Sequence, residues 1–163
     1  MTVNLPPKTD DTDSFFRAFR VDARVDAEEY RVIAFGHTTE QADEALKLVL
    51  TGIKRAIDAP LRDFEVAGVA LPKLGDHAVV IDGRNRPRCV LRVTETAIAP
   101  FASVDAAFAL DVGEGDQSRD GWLRDRRAAN NAIADDTPMV FTRFTVVWPR
   151  LFADDWSGPP ALQ

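Results

Sequence analysis

Between Thr38 and Gly52 the apolar residues Ala42, Ala45, Leu46, Val49 and Leu50 recur at i, i+3, i+4, i+7 and i+8, the spacing of one helix face. Thr38 followed three positions later by Gln41 reads as a capping box, and Gly52 stands where a left-handed, helix-ending residue belongs. An earlier helix is predicted from a cap at Asp13 or Ser14 to about Val25, with Phe15, Phe16 and Phe19 sharing a face. After Gly52 the period changes. Residues 54–58 read as a short strand and 59–75 as irregular chain. His77–Ile81 reads as a strand, followed by Asp82-Gly83-Arg84-Asn85, which has turn chemistry. Residues 88–99 form a long predicted strand closed by Pro100, with Val90, Arg92 and Thr94 on one side and Cys89, Leu91 and Val93 on the other. Ser103 is expected to cap a short helix through Leu110. Gly113-Glu114-Gly115-Asp116 then makes a loop, residues 118–134 a late helix, and residues 139–148, rich in Val, Phe and Thr, a final strand.

Two helices, a run of strands, and a helix inserted before the last strand do not make the strand–helix alternation of a parallel sheet. The fold class is α+β: a small, mainly antiparallel β-barrel with flanking helices. Residues 1–13, polar and Pro-bearing, are expected to be a flexible leader, 14–149 one domain, and 150–163, with Pro159 and Pro160, a loosely attached tail.

Composition narrows the function classes. The 163 residues are 45% hydrophobic and 28% charged, the balance of one ordinary globular domain. Twenty Lys+Arg against 26 Asp+Glu leave a formal charge of −6, which argues against a surface that grips nucleic acid or anionic membrane all over. A local basic groove stays compatible with it. Apolar runs are strand-sized, so no membrane partner is expected. The lone Cys89 cannot form an intrachain disulfide and suits a reducing cytoplasm. Two histidines and one cysteine give no zinc-ligand spacing, and no metal or cofactor is expected.

Several motifs in order resemble one family. Phe35-Gly36, then Leu48-Val49-Leu50-Thr51-Gly52 and Ile53-Lys54-Arg55-Ala56, resemble the signature of ASCH domains, relatives of the PUA RNA-binding domain. Leu71-Pro72-Lys73-Leu74-Gly75-Asp76 is similar to the turn into a barrel strand. Glu114-Gly115-Asp116 with Trp122 resembles the loop and helix of one bacterial branch. Asp136-Thr137-Pro138-Met139-Val140 and Arg143-Phe144-Thr145-Val146-Val147 complete a similarity over about residues 15–149. The resemblance implies a PUA-like barrel with a cleft between the early helices and the barrel, and an RNA or small nucleotide-like ligand as partner. Some relatives hydrolyse RNA or acylated nucleosides with a Lys, a Thr three residues on, and a carboxylate. Lys54 matches the Lys, whereas the Thr position holds Ile57. A nearby hydroxyl position holds Ala59, an aromatic position Arg62, and a His position on the late helix Arg126.

Candidate site residues follow. Lys54 and Arg55 are expected to take an anionic group, or else to be a solvated pair at a strand start. Under a hydrolytic reading Lys54 is a base with Glu95 as its carboxylate partner. Glu114 and Asp116 are placed to contact ligand hydroxyls or base edges, or else to cap the following helix. Arg62 and Trp122 complete the ligand-contact set, and packing is the alternative role of Trp122. Arg84, Arg86, Arg88 and Arg92 around the hairpin, and Arg119, Arg124, Arg126 and Arg127 on the late helix, are candidate basic patches. Interleaved carboxylates make the second set read as an ion-paired surface, with Arg124 and Arg127 near Asp120. Trp148 reads as core, His37 as a loop residue, His77 as an outward strand residue and Cys89 as an inert apolar group.

Overall fold

The computed structural model describes residues 3–154; Trp156, Pro159 and Pro160 lie outside the described residues. Six strands run in the order β1-β2-β4-β5-β6-β3. They are β1 (Val3–Asn4), β2 (Arg31–Phe35), β3 (Ala56–Pro60), β4 (His77–Ile81), β5 (Pro87–Pro100) and β6 (Pro138–Trp148). β2 and β4 pair in parallel, with Val32 beside Val79, and every other pairing is antiparallel. β5 and β6 pair almost end to end. Register shifts at Val90/Leu91 and Val93/Glu95 bend this ribbon, and the sheet curls into the half-barrel of a PUA-like α+β fold.

The period-2 pattern on the strands sorts side chains to two faces. Ala78, Val80, Cys89 and Leu91 point inward, where Ala45, Leu46 and Val49 of helix α2 (Thr39–Leu50) plug the barrel. Val79, Ile81 and Val90 point the other way and are covered by Phe16 and Phe19 of helix α1 (Asp10–Ala23). A third cluster joins Phe108 and Val112 of α4 (Ala106–Val112) and Trp122 and Leu123 of α5 (Arg119–Ala129) to Met139 and Phe141. Cys89 is fully buried in the first cluster, and burial pushes its thiol up to about 12, as suits an inert apolar group.

Where the chain departs from the sequence prediction, local hydrogen bonding explains it. Helix α1 starts four or five residues early because Thr9, not Asp13 or Ser14, is its cap and accepts the Thr12 amide at 3.2 Å. The expected leader therefore holds a helix start, and it also holds β1, which pairs with β2. Thr38 accepts the Gln41 amide at 3.1 Å as predicted, but the Gln41 side chain accepts the His37 amide at 2.8 Å. Strand β2 lies between two helices and pairs with a strand more than forty residues later, a partner no local pattern announces. Within the stretch expected to be irregular, Leu61–Ala67 forms helix α3, started at Pro60 and ended by left-handed Gly68. Asp105, not Ser103, caps α4, accepting the Phe108 amide at 2.7 Å. The expected loose tail is docked as far as Asp154: Phe152 packs on the barrel core, and Asp154 accepts from the Val146 amide at 2.9 Å and the Thr145 hydroxyl at 2.6 Å. Trp148 is only half-buried, with its indole N–H donating to Asp22 at 2.9 Å.

Candidate functional site

Two loops cross to build the site. Gly113 ends α4 in the left-handed region at φ +73°, so close to residues 53 and 54 that a β-carbon there would stand 2.7 Å from the Ile53 carbonyl oxygen. The crossing delivers Glu114 onto Lys54. Lys54 is 2% exposed, and its Nζ donates to the Val112 carbonyl at 3.0 Å and to Glu114 Oε1 at 3.1 Å. Glu114 Oε2 accepts from Arg126 Nη2 at 3.1 Å. Arg126 also forks onto Asp58, Nε to Oδ1 and Nη2 to Oδ2, both at 2.9 Å. Trp122, one turn before Arg126 on α5, donates Nε1–H to Asp58 Oδ2 at 3.2 Å and stacks on Phe101. Lys54, Glu114, Arg126 and Asp58 thus form an alternating chain of formal charges that sum to zero.

Burial disfavours the Lys54 ammonium and lowers its pKa, with Glu114 opposing part of that shift. Burial also disfavours the Glu114 carboxylate, but Lys54 and Arg126 outweigh it and hold the group at about 2. For Arg126 burial is again opposed and overcome, here by Asp58 and Glu114, and the guanidinium stays charged. Because both partners of each pair are desolvated, the network fixes geometry more than it adds stability.

Asp58 and Arg126, with Thr142, form the polar floor of a cleft of about 650 Å³ between the open end of the barrel, α3 and the end of α5, and Arg31, Asp63 and Asp76 also line it. Its walls are mainly apolar, with Ile57, Phe64, Ile133 and Met139 among them. His77 also lines it; it shares the outward face of β4 with Val79 and Ile81, as expected, but is half-buried there against Phe19, and burial and Arg92 lower its pKa. Lys54 and Glu114 lie behind the floor and are not on the lining.

Of the residues singled out from sequence, Lys54, Glu114 and Trp122 are therefore brought together, and four others are placed elsewhere. Glu95 is 58% exposed and pairs with Arg143 at 3.1 Å, because the β5 register sets it opposite Arg143 on β6 and away from Lys54. Arg55 donates to the Val49 and Lys54 carbonyls at 2.8 and 2.7 Å and pairs with Asp154, so it ties the end of α2 to the docked tail. Arg62 is exposed on α3 and off the cleft. Asp116 accepts the Ser118 amide at 3.0 Å and its hydroxyl at 2.7 Å, closing the turn into α5. Arg124, Arg126 and Arg127 of the late helix are ion-paired as expected, but with other partners than Asp120. Arg119 donates to the Ala102 and Val104 carbonyls, Arg124 meets Asp125 and Arg127 meets Asp135.

Asp58 and Arg126 were missed as a pair. A carboxylate at a buried strand position and an arginine four residues after a tryptophan are faint signals, and only the fold sets them together. No group of three or more His, Cys, Asp or Glu side chains suited to a metal occurs among the described residues. No helix among them is long and apolar enough to cross a membrane.

Gly113→Ala tests the crossing. It is expected to cost about 2 kcal/mol or more, since the left-handed backbone and the Ile53 carbonyl both reject a β-carbon. Chemical denaturation measures it, and a cost under about 0.5 kcal/mol would mean the loops can part cheaply.

A family model described as ASCH domain matches residues 31–148. The structure is similar to that of protein EF3133 from Enterococcus faecalis V583, a member of the family DUF984. The TM-score is 0.71 at 25% identity, covering 83% of this chain and 86% of that one. It is also similar to an ASCH domain from Lactobacillus crispatus JV V101, with a TM-score of 0.69 at 24% identity over 82% of this chain and 92% of that one. No curated protein matches the chain.

Proposed function

The chain belongs to the ASCH domain family, and from that membership we propose that it binds RNA or a nucleotide-like ligand, with a base received in the cleft floored by Asp58 and Arg126. The family is linked generally to RNA binding. The observation that carries the reading is the hydrogen-bonding capacity left on that floor. An ionised carboxylate offers about four lone-pair sites and a guanidinium five N–H donors. Asp58 accepts two bonds from Arg126 and one from Trp122, and Arg126 spends Nε and Nη2 on Asp58 and Glu114. One acceptor site of Asp58 and the Nη1 hydrogens of Arg126 are left for a ligand. An acceptor beside paired donors, under apolar walls, suits the polar edge and flat faces of a nucleobase.

A hydrolytic reading, with Lys54 as base, has less support. Its Nζ is occupied by Val112 and Glu114, and Ile57 lines the cleft where a hydroxyl nucleophile would stand. Multiple turnover of an acylated nucleoside, lost in Lys54→Ala protein that still folds, would overturn the preference for binding.

The direct test is fluorescence anisotropy with a labelled single-stranded RNA decamer. Ala67→Trp and Ala129→Trp each place a bulky ring at an exposed position on the cleft lining, away from the buried core. Each is expected to weaken binding at least about tenfold, or ~1.4 kcal/mol. Unchanged affinity in both would remove the cleft from the reading.

A further inference from the structure

At the far end of β4 from the cleft, the hairpin joining β4 to β5 is pinned against α2. Asp43 accepts the Gly83 amide at 2.8 Å, Thr39 donates its hydroxyl to the Gly83 carbonyl at 3.3 Å, and a β-carbon on Gly83 would stand 2.5 Å from the Thr39 methyl. Asn85 takes the left-handed position of the turn at φ +62°. Beneath it Asp82, 3% exposed, accepts the Arg84 and Arg86 amides at 2.9 and 3.0 Å, Arg86 Nε at 2.8 Å and Arg88 Nη1 at 3.3 Å. One buried carboxylate thus roots two arginines whose side chains are 60% and 43% exposed. Each commits only one of its five N–H donors to Asp82. A shallow groove of about 340 Å³ separates them from Lys47 on α2.

The local charge runs against that of the whole chain. Lys47, Arg86 and Arg88 line the groove with Asp43 and Asp82, three cations to two carboxylates, and exposed Arg84 sits on the adjoining turn, whereas the chain has 20 to 26. Asp43 and Asp82 are already engaged by N–H groups of the hairpin, while Lys47 and Arg84 are exposed with no ion pair among the described residues. Fixed guanidinium forks with spare donors are suited to phosphate oxygens.

The geometry points to this groove as a contact surface for the phosphodiester backbone of an RNA strand, separate from the cleft. The inference rests on the RNA part of the function proposed above. His77, at the cleft, opens β4, and Asp82 directly follows its last residue five positions on, about 17 Å at the usual strand rise. A ligand of one nucleotide cannot span that distance, so the surface belongs to a strand several nucleotides long.

The test measures binding of the RNA decamer, and of free uridine, to wild-type protein and to the Lys47→Glu/Arg84→Glu variant between 50 and 200 mM salt, about the range over which phosphate binding weakens strongly. Both substituted side chains are exposed, so folding is expected to be intact. The variant should bind the decamer at least about tenfold more weakly at low salt. Its slope of log K against log salt should be shallower by about 1.4, roughly 0.7 for each phosphate it leaves unneutralised. Uridine affinity should not change. An unchanged slope, with decamer binding still blocked by Ala129→Trp, would overturn the groove and leave the cleft standing. Absence of both decamer and uridine binding in wild-type protein would overturn the two together. A deca-glutamate peptide bound as tightly as the decamer would assign the groove to an acidic protein partner, which also overturns the RNA assignment.

Discussion

Asp58→Ala is expected to destabilise the fold by about 3–5 kcal/mol, the usual cost of removing one partner from a buried ion pair. Two groups are deprived of their acceptor at once. Arg126 keeps only Glu114 for a guanidinium that is largely out of water, and the indole N–H of Trp122 has no partner in the interior. For a chain of this size such a destabilisation corresponds to a fall in Tm of between about 6 and 20 °C. Asp58→Asn, which keeps the shape and one acceptor, should fall between. A joint Asp58→Leu/Arg126→Met replacement should recover only part of the stability: an apolar pair carries no desolvation cost, but the Trp122 indole N–H still lacks its acceptor and Glu114 loses Arg126. It would at the same time strip the cleft floor of its charged pair and abolish ligand binding. Thermal and urea unfolding of the three variants measure this, and a cost below about 1 kcal/mol for Asp58→Ala would show that Arg126 finds water or another anion.

Acid should loosen the same network from its other end. Glu114 titrates at about 2 in the folded protein against an ordinary 4.5, so on acidification the unfolded chain takes up its proton first. The sign follows: the contribution of Glu114 is fully present above about pH 4.5 and is lost as pH falls through about 2. At 1.36 kcal/mol per pH unit of difference, the loss is on the order of 3 kcal/mol. Lys54 acts in the opposite sense. Its lowered pKa means that the folded chain gives up this proton before the unfolded one, so the contribution of this residue to stability rises with pH up to the ordinary lysine value of 10.5. Urea unfolding between pH 5 and 2 should show a steep slope in wild-type protein and a flatter one in Glu114→Gln. Parallel slopes would place the acid sensitivity elsewhere.

Some elements were fixed by short-range chemistry. The i, i+3, i+4 run from Ala42 to Leu50 forms α2 under the Thr38 cap, and the alternation along β4 and β5 sends Cys89 and Leu91 inward and Val90 outward. The Asp82 turn, the late strand and Lys54 as a residue of interest were also legible, because each depends on neighbours within a few positions. β2 and α3 were not, since the first is stabilised by a distant parallel partner and the second is a short helix between Pro60 and left-handed Gly68 with no buried residue to give a periodic signal.

What decided the site was tertiary. Lys54 and Glu114 are 60 residues apart, and Asp58 and Arg126 are 68 apart. Sequence supplied the residue types: a lysine after a helix-ending glycine, a carboxylate in a glycine loop, an arginine one turn from a tryptophan. It did not show that Glu95 would face Arg143 or that Arg55 would meet Asp154, because a charge takes the nearest opposite charge that folding delivers. Local pattern determines which face of a helix or strand is buried. Partner choice among 46 charged residues is determined only when strand register and loop crossings set the distances, and Coulombic and hydrogen-bond energies fall too steeply with distance for composition to foretell them.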